Sequence, residues 1–171
     1  MIEKHILGNF LPKGAKYLVL GSFFAKGLHS TLGYDWYYGS RFNQFWRIIE
    51  EVYDVTLKDK ASKIQLFTEL KMGIADIIYS CERENGNSSY SNLTNITYNY
   101  SIIELLNTKE IDVIYFTSVF VEKNFRKLFL PKIKDPSHIK LTTLPSPSPR
   151  YARLRIDEKV VIYSQLLPPQ K

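Results

Sequence analysis

The chain has 171 residues and very few of the side chains that build metal or redox centres. Its single cysteine, Cys81, excludes an intramolecular disulfide and any four-thiolate metal or cluster site. The three histidines, His5, His29 and His138, lie far apart, so no metal is expected. No stretch approaches the ~18 consecutive apolar residues of a membrane-spanning helix, and the amino terminus has no basic segment followed by a signal-type apolar run. A cytoplasmic protein with no membrane contact is the expectation. Glycine-rich phosphate loops of the G-x-G-x-x-G or G-x-x-x-x-G-K type are also absent, which leaves no support for a nucleotide cofactor; no cofactor of any kind is expected.

What is present fits an ordinary globular domain. Hydrophobic residues make up 44% and charged residues 23%, proportions that bury a core and exclude a disordered or fibrous chain. The length suits one domain spanning residues 1–171. A net charge of +6 and a pI near 9.3 favour a polyanion such as nucleic acid over an acidic partner, although a plain basic surface has the same signature.

Apolar runs bounded by turn residues predict strands over residues 17–20, 74–78, 113–117 and 139–143. Apolar spacing of three and four predicts helices over residues 43–55, 62–71, 98–107, 119–130 and 153–167. The Asn- and Ser-rich tract 82–97 reads as a long loop. This alternation points to an α/β fold: three α/β/α layers around a central, mainly parallel four-stranded sheet. Ligands of such sheets bind beyond the carboxyl ends of the strands, here the segments 21–46, 76–97 and 144–153.

Two of these segments are unusual. Between Trp36 and Phe45 stand five aromatic residues beside Gly39 and Asn43. Phe45 and Trp46 belong to the apolar face of the first helix, whereas Tyr37, Tyr38 and Phe42 precede it, placed either to pack or to stack on an extruded base. Asn43 is a natural helix cap. The second segment, Leu144-Pro145-Ser146-Pro147-Ser148-Pro149-Arg150, is stiff and bears small hydroxyls suited to phosphate, with Arg153 and Arg155 close behind.

Gly21-Ser22-Phe23, Tyr37-Tyr38-Gly39, Asn43-x-Phe45-Trp46, Gly73-Ile74-x-Asp76, Cys81-x-Arg83 and the serine–proline run, in this order, resemble the uracil-DNA glycosylase superfamily. The resemblance spans roughly residues 17–165 and is nearest to the hypoxanthine-DNA (deoxyinosine) glycosylases, next to the mismatch-specific uracil/thymine glycosylases. It implies a monomeric, monofunctional repair enzyme that flips a deaminated base, hypoxanthine or uracil, out of DNA and hydrolyses its N-glycosidic bond.

Position by position, the resemblance implies catalytic roles for Asn43 and for Ser22, the latter standing where other branches have an Asn or an acid. It implies base contacts from Phe23, Tyr38 and Asp76, and DNA contacts from Ser146, Ser148, Pro149, Arg150, Tyr151, Arg153 and Arg83. Asp76 also reads as a cap, and Arg83 as cover for its loop. The chain departs from those relatives at Phe24 and Ser40-Arg41-Phe42, where they carry prolines, and at Arg150-Tyr151, where they carry Ala-Asn. Those changes keep a second expectation open, a DNA- or lesion-binding module that retained the fold and lost turnover.

Overall fold

The computed structural model describes residues 1–24, 35–84 and 89–170. Along the chain run β1 (Ile2–Lys4), β2 (Tyr17–Gly21), α1 (Phe45–Tyr53), α2 (Lys60–Glu69), β3 (Met72–Asp76), β4 (Ile78–Arg83), β5 (Leu93–Tyr98), α3 (Ser101–Thr108), β6 (Val113–Phe116), α4 (Val119–Leu128), β7 (Lys140–Thr143) and α5 (Ile156–Leu166). Short 3-10 turns occupy Tyr90–Asn92 and Leu130–Lys132. No helix among the described residues is long and apolar enough to cross a membrane.

The four expected strands form one parallel sheet in the order β3-β2-β6-β7. Alternation along β2 divides the core between the two faces. Leu18 and Leu20 join Ile114 and Phe116 against Ile102 and Leu106 of α3 and Val121 and Phe125 of α4. Val19 joins Ile74 and Tyr115 on the other face, against Phe45, Ile48 and Ile49 of α1, Leu66 and Phe67 of α2, and Tyr163 of α5. Both faces are covered by helices, which is why these strands read as continuous apolar runs.

Helix termini follow local chemistry. Asp59 caps α2 by accepting the Ser62 backbone N–H at 2.8 Å, while the Ser62 hydroxyl accepts the Asp59 N–H at 3.2 Å. Ser118 caps α4 through the Val121 N–H at 3.2 Å.

Three expectations are corrected. The tract 82–97 is not one long loop: residues 82–83 complete β4 and residues 93–97 lie in β5, which with β1 make an antiparallel sheet of order β1-β4-β5. Register shifts between Ile78 and Glu82 blur the alternation of β4, and β5 alternates in burial but carries so many polar residues that its hydrophobic pattern does not show it. The run 74–78 is likewise two strands: β3 ends at Asp76, Ile77 donates its N–H to the Gly21 carbonyl at 2.9 Å, and β4 leaves toward the second sheet. The third helix begins at Ser101 rather than residue 98, because Tyr98 closes β5.

Candidate functional site

All four parallel strands deliver their carboxyl ends to one place. β2 runs into Ser22 and Phe23, β3 ends on Asp76, β6 is followed by Thr117, and β7 leads through Leu144 into the serine–proline loop. These residues line a cavity of about 330 Å³, closed on its remaining side by Tyr37, Tyr38, Ser40, Phe42 and Asn43 from the segment before α1. Strand order reverses between β2 and β6: from β2 the next strand, β3, lies to one side, and from β6 the next, β7, lies to the other, so the crossovers part there and leave a crevice.

Nine of the twelve residues singled out from sequence come together here: Asn43, Ser22, Phe23, Tyr38, Asp76, Ser146, Ser148, Pro149 and Arg150. Asn43 Oδ1 accepts the Phe45 backbone N–H at 2.9 Å. Asn43 is therefore not the N-cap itself, which is Gln44, but sits one residue ahead of it; its amide nitrogen has no hydrogen-bond partner among the described residues, so the bond to Phe45 fixes the side chain and leaves a donor free on a residue of the cavity wall.

Tyr38 adopts a left-handed backbone, φ +55°, uncommon for a residue with a side chain. That turn sends consecutive tyrosines apart. Tyr37 is buried, its hydroxyl donating to the Gly8 carbonyl, while Tyr38 reaches Thr117 Oγ1 at 3.1 Å and stacks on Phe45 with ring centroids 4.3 Å apart. Burial first, and the Asp76 charge second, hold the Tyr38 hydroxyl well above the usual tyrosine range, so it stays protonated. Gly21 lies below: a Cβ there would collide with the Tyr38 hydroxyl and the Asp76 carboxylate, so only glycine lets the two approach.

Asp76 is 5% exposed and is held by a partner that sequence spacing gave no reason to choose. His5 Nε2 lies 2.7 Å from Asp76 Oδ2. Since His5 Nδ1 accepts the Leu7 N–H at 3.3 Å, Nε2 carries the hydrogen and donates it to the carboxylate. The imidazole also lies within 6 Å of three rings, with centroid distances of 5.8 Å to Phe23, 5.5 Å to Phe24 and 5.7 Å to Tyr37. From the other side Asn99 Nδ2 donates to the Asp76 carbonyl at 3.0 Å.

In the serine–proline loop, Ser146 Oγ accepts the Ser148 N–H at 3.2 Å and Ser148 Oγ accepts the Arg150 N–H at 3.3 Å. Each hydroxyl therefore keeps its own hydrogen to donate outward. The loop is pinned to α1 by the Gln44 N–H on the Pro147 carbonyl at 2.9 Å and to α5 by the Tyr163 hydroxyl on the Pro145 carbonyl at 2.7 Å.

Three expected residues stand apart from this cavity. Tyr151 lines a neighbouring, larger cavity of about 680 Å³, which shares Tyr90, Ser146, Ser148 and Arg150 with the first. Arg153 is exposed and lines neither. Arg83 is corrected: its side chain is only 4% exposed, its guanidinium bonds Glu3 at 3.0 Å and the Phe24 carbonyl at 2.6 Å, and it lies 5.3 Å from the Phe23 ring centroid. As placed it braces the Ser22–Phe24 turn and is not presented to phosphate.

Sequence reasoning passed over His5, Thr117, Tyr90 and Lys159. Lys159 is 1% exposed, yet its Nζ donates to Gln44 Oε1 at 2.8 Å and to the Ser148 carbonyl at 3.3 Å, joining α5, the start of α1 and the serine–proline loop. One signal was available: a lysine on the apolar stripe of α5.

No family model matches the chain, and no curated protein matches it. Solved structures do. The structure of a candidate uracil DNA glycosylase from Methanosarcina acetivorans superposes with a TM-score of 0.71 at 22% identity, over 97% of this chain and 99% of the other. The fold is uracil-DNA glycosylase-like. At that identity the likeness speaks for architecture, and the chemistry rests on the side chains just described.

Proposed function

We propose that the protein is a monofunctional DNA base glycosylase that draws a deaminated base, hypoxanthine or uracil, from the helix and hydrolyses its N-glycosidic bond. The observation that carries this reading is Asn43: its oxygen is committed to α1, and its amide donor stands in a cavity of base size beside Tyr38 and Asp76. The architecture it shares with the Methanosarcina protein supports the same reading.

Breaking the bond leaves positive charge on the sugar and negative charge on the departing base. An N–H already aimed at the base carbonyl stabilises that charge without reorganising. Asp76, held by His5, accepts the ring N–H beside the carbonyl, an arrangement that uracil and hypoxanthine both offer. Tyr38 supplies a ring against which the base stacks, backed by Phe45, and Phe23 closes the opposite end. Ser22 closes the cavity floor. A water oxygen then bonds to the sugar carbon as the carbon–nitrogen bond breaks, and its proton passes to solvent or to the released base. On the serine–proline wall of the cavity, Ser146, Ser148 and Arg150 hold backbone phosphates, and Pro149 to Tyr151 form the tip that enters the duplex.

The test is a panel of labelled oligonucleotides carrying deoxyinosine or deoxyuridine, single- and double-stranded, incubated with the protein and treated with alkali to cut abasic sites. Strand cleavage at the lesion is expected, with Asn43→Ala strongly impaired. Lesion-enhanced binding without cleavage on any substrate would leave only a binding module on this fold.

A further inference from the structure

Two lysines are buried on the side of the sheet that carries α1, and they differ in one respect. Lys63 has its charge matched by Asp35, 2.8 Å away. Lys159 is more deeply buried, and among the described residues no carboxylate lies within ion-pair distance of it. Its neighbours are neutral: Gln44 Oε1, the Ser148 carbonyl and the ring of Tyr151, whose centroid is 5.4 Å from Nζ. Burial holds its ammonium below the usual lysine range. A core position on α5 would be filled more cheaply by an apolar residue of the same length, because an unmatched buried charge is a stability cost.

The position of this charge suggests its use. It lies directly behind the serine–proline loop, whose outer side offers the Ser146 and Ser148 hydroxyls, and behind Gln44, which precedes α1 and follows Asn43. We infer that Lys159 is a positioning residue that clamps the serine–proline loop onto the start of α1 and holds one uncompensated positive charge under the loop, which a DNA phosphate seated on the serines neutralises. The inference rests on the proposed DNA reading. It adds that phosphate affinity at this loop comes partly from a cation that never touches the phosphate, and that the same clamp ties loop position to Asn43.

The experiment compares the parent with Lys159→Met, which keeps length without charge, and Lys159→Gln, which keeps a hydrogen-bond donor without charge. Stability is measured by urea unfolding. Affinity for a duplex holding a tetrahydrofuran abasic site is measured between ~50 and ~200 mM salt. Both variants are expected to fold, with Lys159→Met at least as stable as the parent. Both should bind on the order of tenfold more weakly at low salt, with the slope of log affinity against log salt shallower by about one.

A slope unchanged in both variants overturns the inference, as does a Lys159→Met protein whose weaker binding follows only from lost stability. A parent that binds no duplex overturns the inference together with the DNA reading. A parent that binds but releases no base removes the glycosylase reading alone, and the slopes still decide the role of Lys159.

Discussion

Asn43 Oδ1 and the Phe45 backbone N–H meet at 2.9 Å, so the side chain proposed to act on the base also braces the first turn of the helix behind it. On the proposed reading one amide group is divided between structure and chemistry, its oxygen held by the backbone and its nitrogen left for the base.

This division is separable by mutation. Asn43→Ala removes both functions and is expected to cost about 1 kcal/mol of stability for the lost bond to Phe45 and on the order of 10²-fold or more in single-turnover base release. Asn43→Asp keeps the acceptor for Phe45 and loses the donor. It should unfold in urea like the parent while releasing base as slowly as Asn43→Ala; parent-like release by Asn43→Asp would contradict the donor role.

The His5–Asp76 contact is expected to matter to folding as well as to the site. Both side chains are 6% exposed, so His5→Ala leaves a buried carboxylate without its donor and a gap beside Phe23, Phe24 and Tyr37. A loss of roughly 2–4 kcal/mol by chemical denaturation is expected. Asp76→Asn keeps shape and removes the charge, so it should fold better than His5→Ala while binding the lesion base less tightly.

Gly21→Ala tests how closely the cavity floor is packed. The added methyl would force Tyr38 and Asp76 apart, for a cost of about 1–3 kcal/mol. The thermal midpoint should fall by several degrees, and base release should drop beyond what the lost folded fraction explains.

A pH effect is expected at the carboxyl end of β7, just ahead of the serine–proline loop. Thr143 Oγ1 donates to Glu122 Oε2 at 2.6 Å, and this bond, ahead of Arg126, holds the Glu122 carboxyl below the usual glutamate range. A carboxyl with a lowered folded value stabilises the fold above its unfolded value of about 4.3 and loses that contribution as pH falls through the folded value. The stability gap between the parent and Glu122→Gln should therefore be open at neutral pH and close below about pH 4, read by urea unfolding at pH 7, 5 and 3.

The parallel sheet was legible in the sequence because burial on both faces forces long apolar runs, and Tyr17 to Gly21 shows one plainly. The antiparallel sheet was not, because β5 spends Thr94, Ile96 and Tyr98 inward and Asn95 and Thr97 outward, a pattern that polar composition hides. Within the site, residues that follow strand ends were readable as such. His5 was not, since its partner lies 71 positions away and no local spacing encodes a contact made by β1 pairing with β4. Arg83 was misplaced for the same reason: the glutamate that claims it is 80 positions distant.

Residues that line the cavity are held by distant stretches of sequence: His5 reaches Asp76, and Lys159 reaches Ser148 and Gln44, the latter across 115 positions. During synthesis on the ribosome, where the amino-terminal part emerges and folds first, no walled cavity can exist until the serine–proline loop and most of α5 have emerged. A nascent or proteolysed fragment lacks at least one wall. Any capacity to cut a base from DNA thus waits for α5 to emerge, an order set by connectivity alone.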